Sequence, residues 1–272
     1  MLDNLRGLFE KHDIRRVKLG AVDIDCTLRG KYISLDKFWS CAESGTGFCD
    51  VIFGWDIADA LYDNSRVTGW HTGFPDATAR IALDTFRLIP WEPGTAFFLL
   101  DFVNVAAVSP RQMLQRVIEK AGSYKAFFSA EYEFYLFRET PNSLREKNYR
   151  GLTPLSPGAF GYSVLRASEH SELALALFDQ LTGFGVPLEG FHTETGPGVY
   201  EAAIAVNQAL AAADEAALFK TAVKEIAARF GVIPTFMAKW NSALPGSSGH
   251  LHQSLWDSGK QNNLFADGVG GM

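Results

Sequence analysis

The stretch Ser129-Ala130-Glu131-Tyr132-Glu133-Phe134-Tyr135-Leu136-Phe137 decides how this chain is read. It lies within a predicted strand from Tyr124 to Arg138. Side chains two apart on a strand share a face, so Glu131 and Glu133 point the same way, roughly 6.6 Å apart at ~3.3 Å of rise per residue. Aromatic residues flank both glutamates on both faces, which predicts a buried strand. Buried carboxylates need a cation or a proton to be tolerated. A bare Glu-x-Glu is more often the solvated face of a half-exposed strand, so a functional reading needs partners elsewhere in the chain.

Two further segments supply them. Phe191-His192-Thr193-Glu194-Thr195-Gly196-Pro197-Gly198-Val199-Tyr200-Glu201 sits in a hairpin predicted over 189–204, turning at Gly196-Pro197-Gly198. A tight turn brings Glu194 and Glu201 near one another across the ladder, an unfavourable pairing of like charges without a counter-ion. Taken alone, both would be solvated at a loop tip. Pro245-Gly246-Ser247-Ser248-Gly249-His250-Leu251-His252-Gln253-Ser254-Leu255-Trp256 is a small-residue loop running into a strand. There His250, His252 and Ser254 share one face, and Leu251 and Leu255 the other. A lone His-x-His is usually structural; beside four glutamates it becomes a candidate for ligation. Oxygen-rich donors with one nitrogen suit magnesium or manganese better than zinc. Paired hard cations are a common device for phosphoryl transfer. Neither Gly-x-x-x-x-Gly-Lys-Ser/Thr nor Gly-x-Gly-x-x-Gly occurs, so a P-loop or Rossmann nucleotide site is unsupported.

Composition agrees with a folded enzyme-sized chain. It has 272 residues, 47% hydrophobic and 21% charged, enough for one large or two ordinary domains. The charge of −6, without a long basic stretch, disfavours nucleic acid or an anionic membrane as partner. No apolar run approaches the ~20 residues of a spanning helix, and Met1 to Asp13 lacks the apolar core of a secretory signal. Cys26, Cys41 and Cys49 form no Cys-x-x-Cys pair, which fits a reducing cytoplasm.

Along the chain, Leu2 to Lys11 reads as a helix, Val17 to Leu35 as a hairpin turning at Arg29-Gly30-Lys31, and Asp36 as the cap of a short helix. The segment from Phe74 to Asp101, with Pro75, Pro90 and Pro93, reads as short strands joined by loops. A boundary is expected after Ala107. Ser109 and Pro110 open a helix whose Met113, Leu114, Val117, Ile118 and Ala121 share a face. Further helices are expected over 169–181 and 209–230, the latter with Phe219, Val223, Ile226 and Phe230 in one stripe. Ile233 to Lys239 and His250 to Trp256 are the last strands.

In their order, Glu131-Tyr132-Glu133-Phe134-Tyr135-Leu136-Phe137, Glu194 through Glu201, Thr235-Phe236-Met237-Ala238-Lys239 and Gly246 through Leu255 resemble the motifs of the glutamine synthetase family. The resemblance covers nearly the whole chain. It implies an α+β fold: an amino-terminal β-grasp domain over 1–106, then a catalytic domain over 107–272 with a curved antiparallel sheet and helices. It further implies ATP-dependent ligation of ammonia or an amine to the γ-carboxylate of glutamate through a γ-glutamyl phosphate. Two or more magnesium or manganese ions would serve each site, in a large homo-oligomer whose sites lie between subunits. By match of motifs, Glu133, Glu194 and Glu201 resemble the ligands of one metal, and Glu131 and His250 those of the metal nearer the transferred phosphate. His252 and Ser254 resemble ATP contacts, and Gly246 a residue of the loop that meets the amino-acid substrate.

Departures from the pattern sharpen the expectation. Val199 stands where the family commonly has Gln, and Pro245 where it has Asn, which favours a γ-glutamyl–amine ligase over ordinary glutamine formation. Glu43-Ser44-Gly45-Thr46-Gly47-Phe48 replaces an Asp-bearing loop, so no residue is assigned to deprotonating ammonium. Family members continue beyond a position like Gly270-Gly271-Met272, which predicts an incomplete catalytic domain with little or no activity by itself. A ligase-like structural or regulatory protein and a metal-dependent hydrolase are the competing readings.

Overall fold

A computed structural model describes residues 2–266, in two compact units, Met1–Gly122 and Ser123–Met272. The reading of the chain's end at 270–272 lies outside the described residues.

The first unit opens with helix α1 (Leu2–Lys11), which buries Leu5 and Phe9 as its spacing predicts. Strands β1 (Arg16–Val22) and β2 (Leu28–Ser34) pair antiparallel. Their turn is not Arg29-Gly30-Lys31 but the segment 23–27, where the Asp23 carboxylate accepts from the N–H of Asp25 at 3.0 Å and of Thr27 at 2.8 Å. Gly30 lies inside β2 opposite Gly20, where a Cβ would sit 2.2 Å from the Leu19 carbonyl oxygen. Close strand approach, not turning, requires that glycine.

Helix α2 (Leu35–Ser44) is capped by Ser34, whose hydroxyl accepts from the Lys37 N–H at 3.3 Å, while Asp36 lies in its first turn. Strand β3 (Thr46–Cys49) follows. The 74–101 segment forms two long strands instead of several short ones: β4 (Asp76–Leu88) and β5 (Thr95–Phe102). Pro75 precedes β4, and Pro90 and Pro93 fall between the two strands, so no proline interrupts a ladder. The sheet order is β2-β1-β5-β4-β3, with β1 and β5 parallel. Phe9, Phe38 and Phe98 meet in its core at centroid separations of 5.0–6.3 Å.

Helix α3 (Pro110–Ala121) begins where Ser109 and Pro110 predict. By its contacts it belongs with the first compact unit, which runs to Gly122. The cause is local: Arg111 pairs with Asp101 at 2.6 Å, and the Gln112 amide bonds both backbone groups of Phe102. Arg111 is buried while Met113 and Val117 are exposed, so only Leu114, Ile118 and Ala121 of the expected stripe are half-buried.

The second unit is built on β6 (Lys125–Phe137). Short helices α4 (Pro141–Glu146) and α5 (Val164–Ser168) lead to α6 (Ser171–Gly183). The hairpin β7 (Leu188–Thr193) and β8 (Val199–Ile204) turns through Gly198, whose φ of +71° and lack of room for a Cβ, which would sit 2.6 Å from the Leu136 carbonyl oxygen, favour glycine. A two-residue β9 (Asn207–Gln208) opens onto α7 (Ala209–Ala228). Strands β10 (Ile233–Thr235) and β11 (Gly249–Trp256) complete the sheet. β10 is shorter than the expected 233–239, because the Ala238 carbonyl bonds the Ser247 N–H at 2.8 Å instead of a strand. β6 is the central strand: β8 and then β7 lie to one side, and β10 and β11 pair with it along its other edge.

One face of this sheet packs on the helices. Phe134 meets Phe219, Phe236 and Phe191 at 5.1–6.4 Å, and Phe219, Val223 and Ile226 of α7 are fully buried. Phe230 lies past the end of α7 and is partly exposed.

Candidate metal centre

Strand register builds the other face. Directly paired residues on neighbouring strands point the same way, and His192 pairs with Glu201, which pairs with Glu133. One step along β6, two residues away and so on the same face, Glu131 pairs with His250. His252 follows two residues later on β11. Glu194 lies just past β7, where its N–H bonds the Val199 carbonyl at 2.9 Å. Residues from positions 131 to 252 thus converge because a central strand takes partners on both edges.

The donor atoms fall into two groups, each within 4.8 Å: Glu131, His250 and His252; and His192, Glu194 and Glu201. His250 Nδ1 is 2.8 Å from Glu131 Oε2, and His252 Nε2 is 3.1 Å from the same oxygen. His192 Nδ1 lies 3.7 Å from Glu194 and its Nε2 3.6 Å from Glu201. His250 Nδ1 is also 3.5 Å from Glu201 Oε1, which joins the two groups. Glu133 shares the face, but its carboxylate accepts from the Ser248 N–H at 3.0 Å and the Ser248 hydroxyl at 2.6 Å.

Burial and charge separate the carboxylates. Glu201 is pushed above the ordinary range, first by burial and then by the charges of Glu131 and Glu133, against the pull of His192 and His250. Glu131 is held below it by hydrogen bonds from His250 and then His252. His250 in turn is raised, chiefly by its bond to Glu131. Among the described residues no lysine or arginine forms an ion pair with any of the four glutamates. Clustered carboxylates without a paired lysine or arginine fit a divalent cation; carboxylates outnumber imidazoles in the group of His192, Glu194 and Glu201, while the group of Glu131, His250 and His252 offers one carboxylate and two imidazoles.

Of the residues singled out in the sequence, Glu131, Glu133, Glu194, Glu201, His250 and His252 share this face. Ser254 lies further along β11 and its hydroxyl accepts from Trp256 Nε1 at 2.9 Å. Gly246 is in the loop before β11, which Tyr135 anchors by donating its hydroxyl to the Pro245 carbonyl at 3.0 Å. The sequence reading missed His192. Its signal was available, since it stands two residues from Glu194 and the tight turn sets it opposite Glu201. Tyr162 was also missed; its ring stacks on His192 at 4.4 Å, and its hydroxyl is raised chiefly by the charge of Glu194. Nothing local in the sequence marks Tyr162, which comes from the loop before α5.

Comparison with known proteins gives consistent results. The profile of the family described as "Glutamine synthetase, catalytic domain" matches residues 107–271. The chain is 50% identical over 257 residues to "Type-1 glutamine synthetase 2" of Dictyostelium discoideum, covering 92% of this chain and 49% of that protein. It is 39% identical to a "Glutamate--isopropylamine ligase" of a Pseudomonas species, covering 93% of this chain and 57% of that protein. A solved "GmaS/ADP complex" superposes with a TM-score of 0.78 at 21% identity, covering 96% of this chain and 57% of that one, a likeness of fold. The chain therefore spans about half the length of the curated relatives it matches.

Proposed function

This chain belongs to the glutamine synthetase family, and from that membership we propose that it carries the metal-binding half of an ATP-dependent ligase joining an amine to the γ-carboxylate of glutamate. The observation that carries this reading is the two-row array of Glu131, Glu133, Glu201, His192 and His250 on one sheet face, with Glu194 and His252 beside it.

Magnesium or manganese bound there would neutralise the terminal phosphates of ATP and hold donor and acceptor in line. Glu131, His250 and His252 would hold the phosphate-side ion, and Glu194, Glu201 and His192 the other. That division adds His192 to the ligands expected from the motifs and moves His252 from ATP contact to ligand. Glu133 would join the second group as a ligand once its carboxylate turns from Ser248, which holds it by two hydrogen bonds. Tyr162 holds the His192 ring in orientation by stacking. His250 must release the proton it shares with Glu131 before its nitrogen can bind an ion.

Val199 and Pro245, which replace the residues common in glutamine-forming members, support an amine other than ammonia as the acceptor. An isopropylamine ligase among the relatives supports the same choice. The test is manganese titration of Glu133→Ala against the parent chain. The expected result is a Kd at least tenfold weaker, in line with the 10- to 100-fold cost of losing a group at or next to a metal. An unchanged Kd refutes the assigned cluster. Phosphate release from ATP that requires both glutamate and an amine tests the reaction itself.

A further inference from the structure

Alternation along β6 puts Glu131, Glu133 and Tyr135 on one face. Tyr135 is fully buried, beneath the loop 236–248 that joins β10 to β11. Its ring meets Trp240 of that loop edge to face at 6.5 Å, and its hydroxyl donates to the Pro245 carbonyl at 3.0 Å. Burial raises this hydroxyl above the usual phenol range, so it remains a donor. Ser247 draws the two arms of the loop together: its N–H donates to the Ala238 carbonyl at 2.8 Å and its hydroxyl to the Met237 carbonyl at 2.9 Å. Pro245 has a fixed φ, which stiffens the arm that Tyr135 holds.

Ser248 makes the second attachment to β6. Its N–H takes Glu133 Oε2 at 3.0 Å, its hydroxyl takes Oε1 at 2.6 Å, and its carbonyl accepts from the Glu133 N–H at 3.1 Å. Gly246 therefore lies between two pins, Pro245 on Tyr135 and Ser248 on Glu133. Strand register sets Glu133 directly opposite Glu201, yet the two groups of donor atoms form without it. To reach an ion beside Glu201 the Glu133 side chain has to turn, giving up bonds that are charge-assisted and so of the stronger kind.

We propose that an ion and the loop compete for Glu133. Ser248 is a positioning residue that holds the carboxylate away from Glu201 and ties the Gly246 segment to β6. An ion that recruits Glu133 releases this segment at its Ser248 end, while Tyr135 keeps it pinned at Pro245. Filling the ion site and loosening the loop are then one event. That the competitor is an ion rests on the ligase reading above; the two pins do not.

The test is manganese titration of the 272-residue chain by electron paramagnetic resonance, with Ser248→Ala, Glu133→Ala and the double variant, each checked for folding by thermal melt. Ser248→Ala should bind manganese more tightly, by roughly threefold or more, because a competing bond to a charged group is gone. The gain should vanish in the Glu133→Ala background. A damaged fold would weaken binding instead. Amide exchange by NMR reads the loop with magnesium as the probe: the Ser248 N–H should exchange at least fivefold faster once magnesium is added. The Ser247 N–H should quicken only when Tyr135→Phe removes the other pin. Manganese binding that is unchanged or weaker in Ser248→Ala, a gain that persists without Glu133, or a Ser248 N–H indifferent to magnesium overturns the proposal. Manganese affinity unchanged in Glu133→Ala removes the assigned cluster together with the competition, whereas a weaker Glu133→Ala beside a Ser248→Ala that gains nothing removes the competition alone.

Discussion

Glu131 and Glu201 stand on the same sheet face yet are displaced in opposite directions. Two imidazoles donate to Glu131, while Glu201 is more deeply buried and faces other carboxylates. His250 bridges them and holds its proton above the usual imidazole range. An ion entering this site competes with that proton, so its affinity is fully expressed above the raised His250 value and is lost as pH falls through it. Manganese binding followed by electron paramagnetic resonance should weaken at least tenfold from pH 8 to pH 6; a pH-independent Kd would remove His250 from the ligand set. Glu139 offers a contrasting case away from the cluster. Bonds from Lys147 and Ser143 and from the Thr153 N–H hold its carboxyl down to about 2, against an ordinary value of 4.5. A depressed carboxyl stabilises the fold above its unfolded value and ceases to do so as pH falls towards the folded one. Glu139→Gln should therefore lower the melting temperature at pH 6, and the deficit should shrink between about pH 4.5 and pH 2.

At the scale of elements, α7 is held less by its own propensity than by the row Phe219, Val223 and Ile226 seated on the helix-facing side of β6. Phe219 touches Tyr132 and Phe134, the residues that alternate with Glu131 and Glu133, so the core and the carboxylate face are the two sides of one strand. Phe219→Ala should cost about 3–5 kcal/mol in chemical denaturation, as expected for a fully buried aromatic. In the first unit, Gly30→Ala would force a methyl against the Leu19 carbonyl in the β1–β2 ladder. Its expected cost is about 1–3 kcal/mol, whereas a glycine in an ordinary turn with negative φ would tolerate alanine.

At the scale of the whole molecule, the described residues leave one strand edge open. β11 pairs with β6 on one side only, and among the described residues its other edge is covered just near Leu255 and Trp256 by the turn around Asn263. Leu251 on that strand is 68% exposed. Uncovered apolar edges promote association between chains. Sedimentation velocity should show the 29.9 kDa chain associating as concentration rises, and Leu251→Lys should shift it towards the monomer. Among the described residues no helix is long and apolar enough to cross a membrane. The local pattern of residues determined most of this molecule's parts. Glutamates flanked by aromatic residues marked β6, the glycine-proline turn marked the β7–β8 hairpin, and the four ordered motifs marked the family, because each signal lies within a dozen residues. Cap, turn and strand length in the first unit were decided by partners distant in sequence or by competing side chains: Ser34 over Asp36, Asp23 over Gly30. The grouping of the donors was likewise tertiary. Whether Glu133 faces an ion or Ser248, whether His192 joins Glu201, and whether Tyr162 reaches His192 all depend on which strands flank β6 and in what register, and register is fixed by burial of the opposite face.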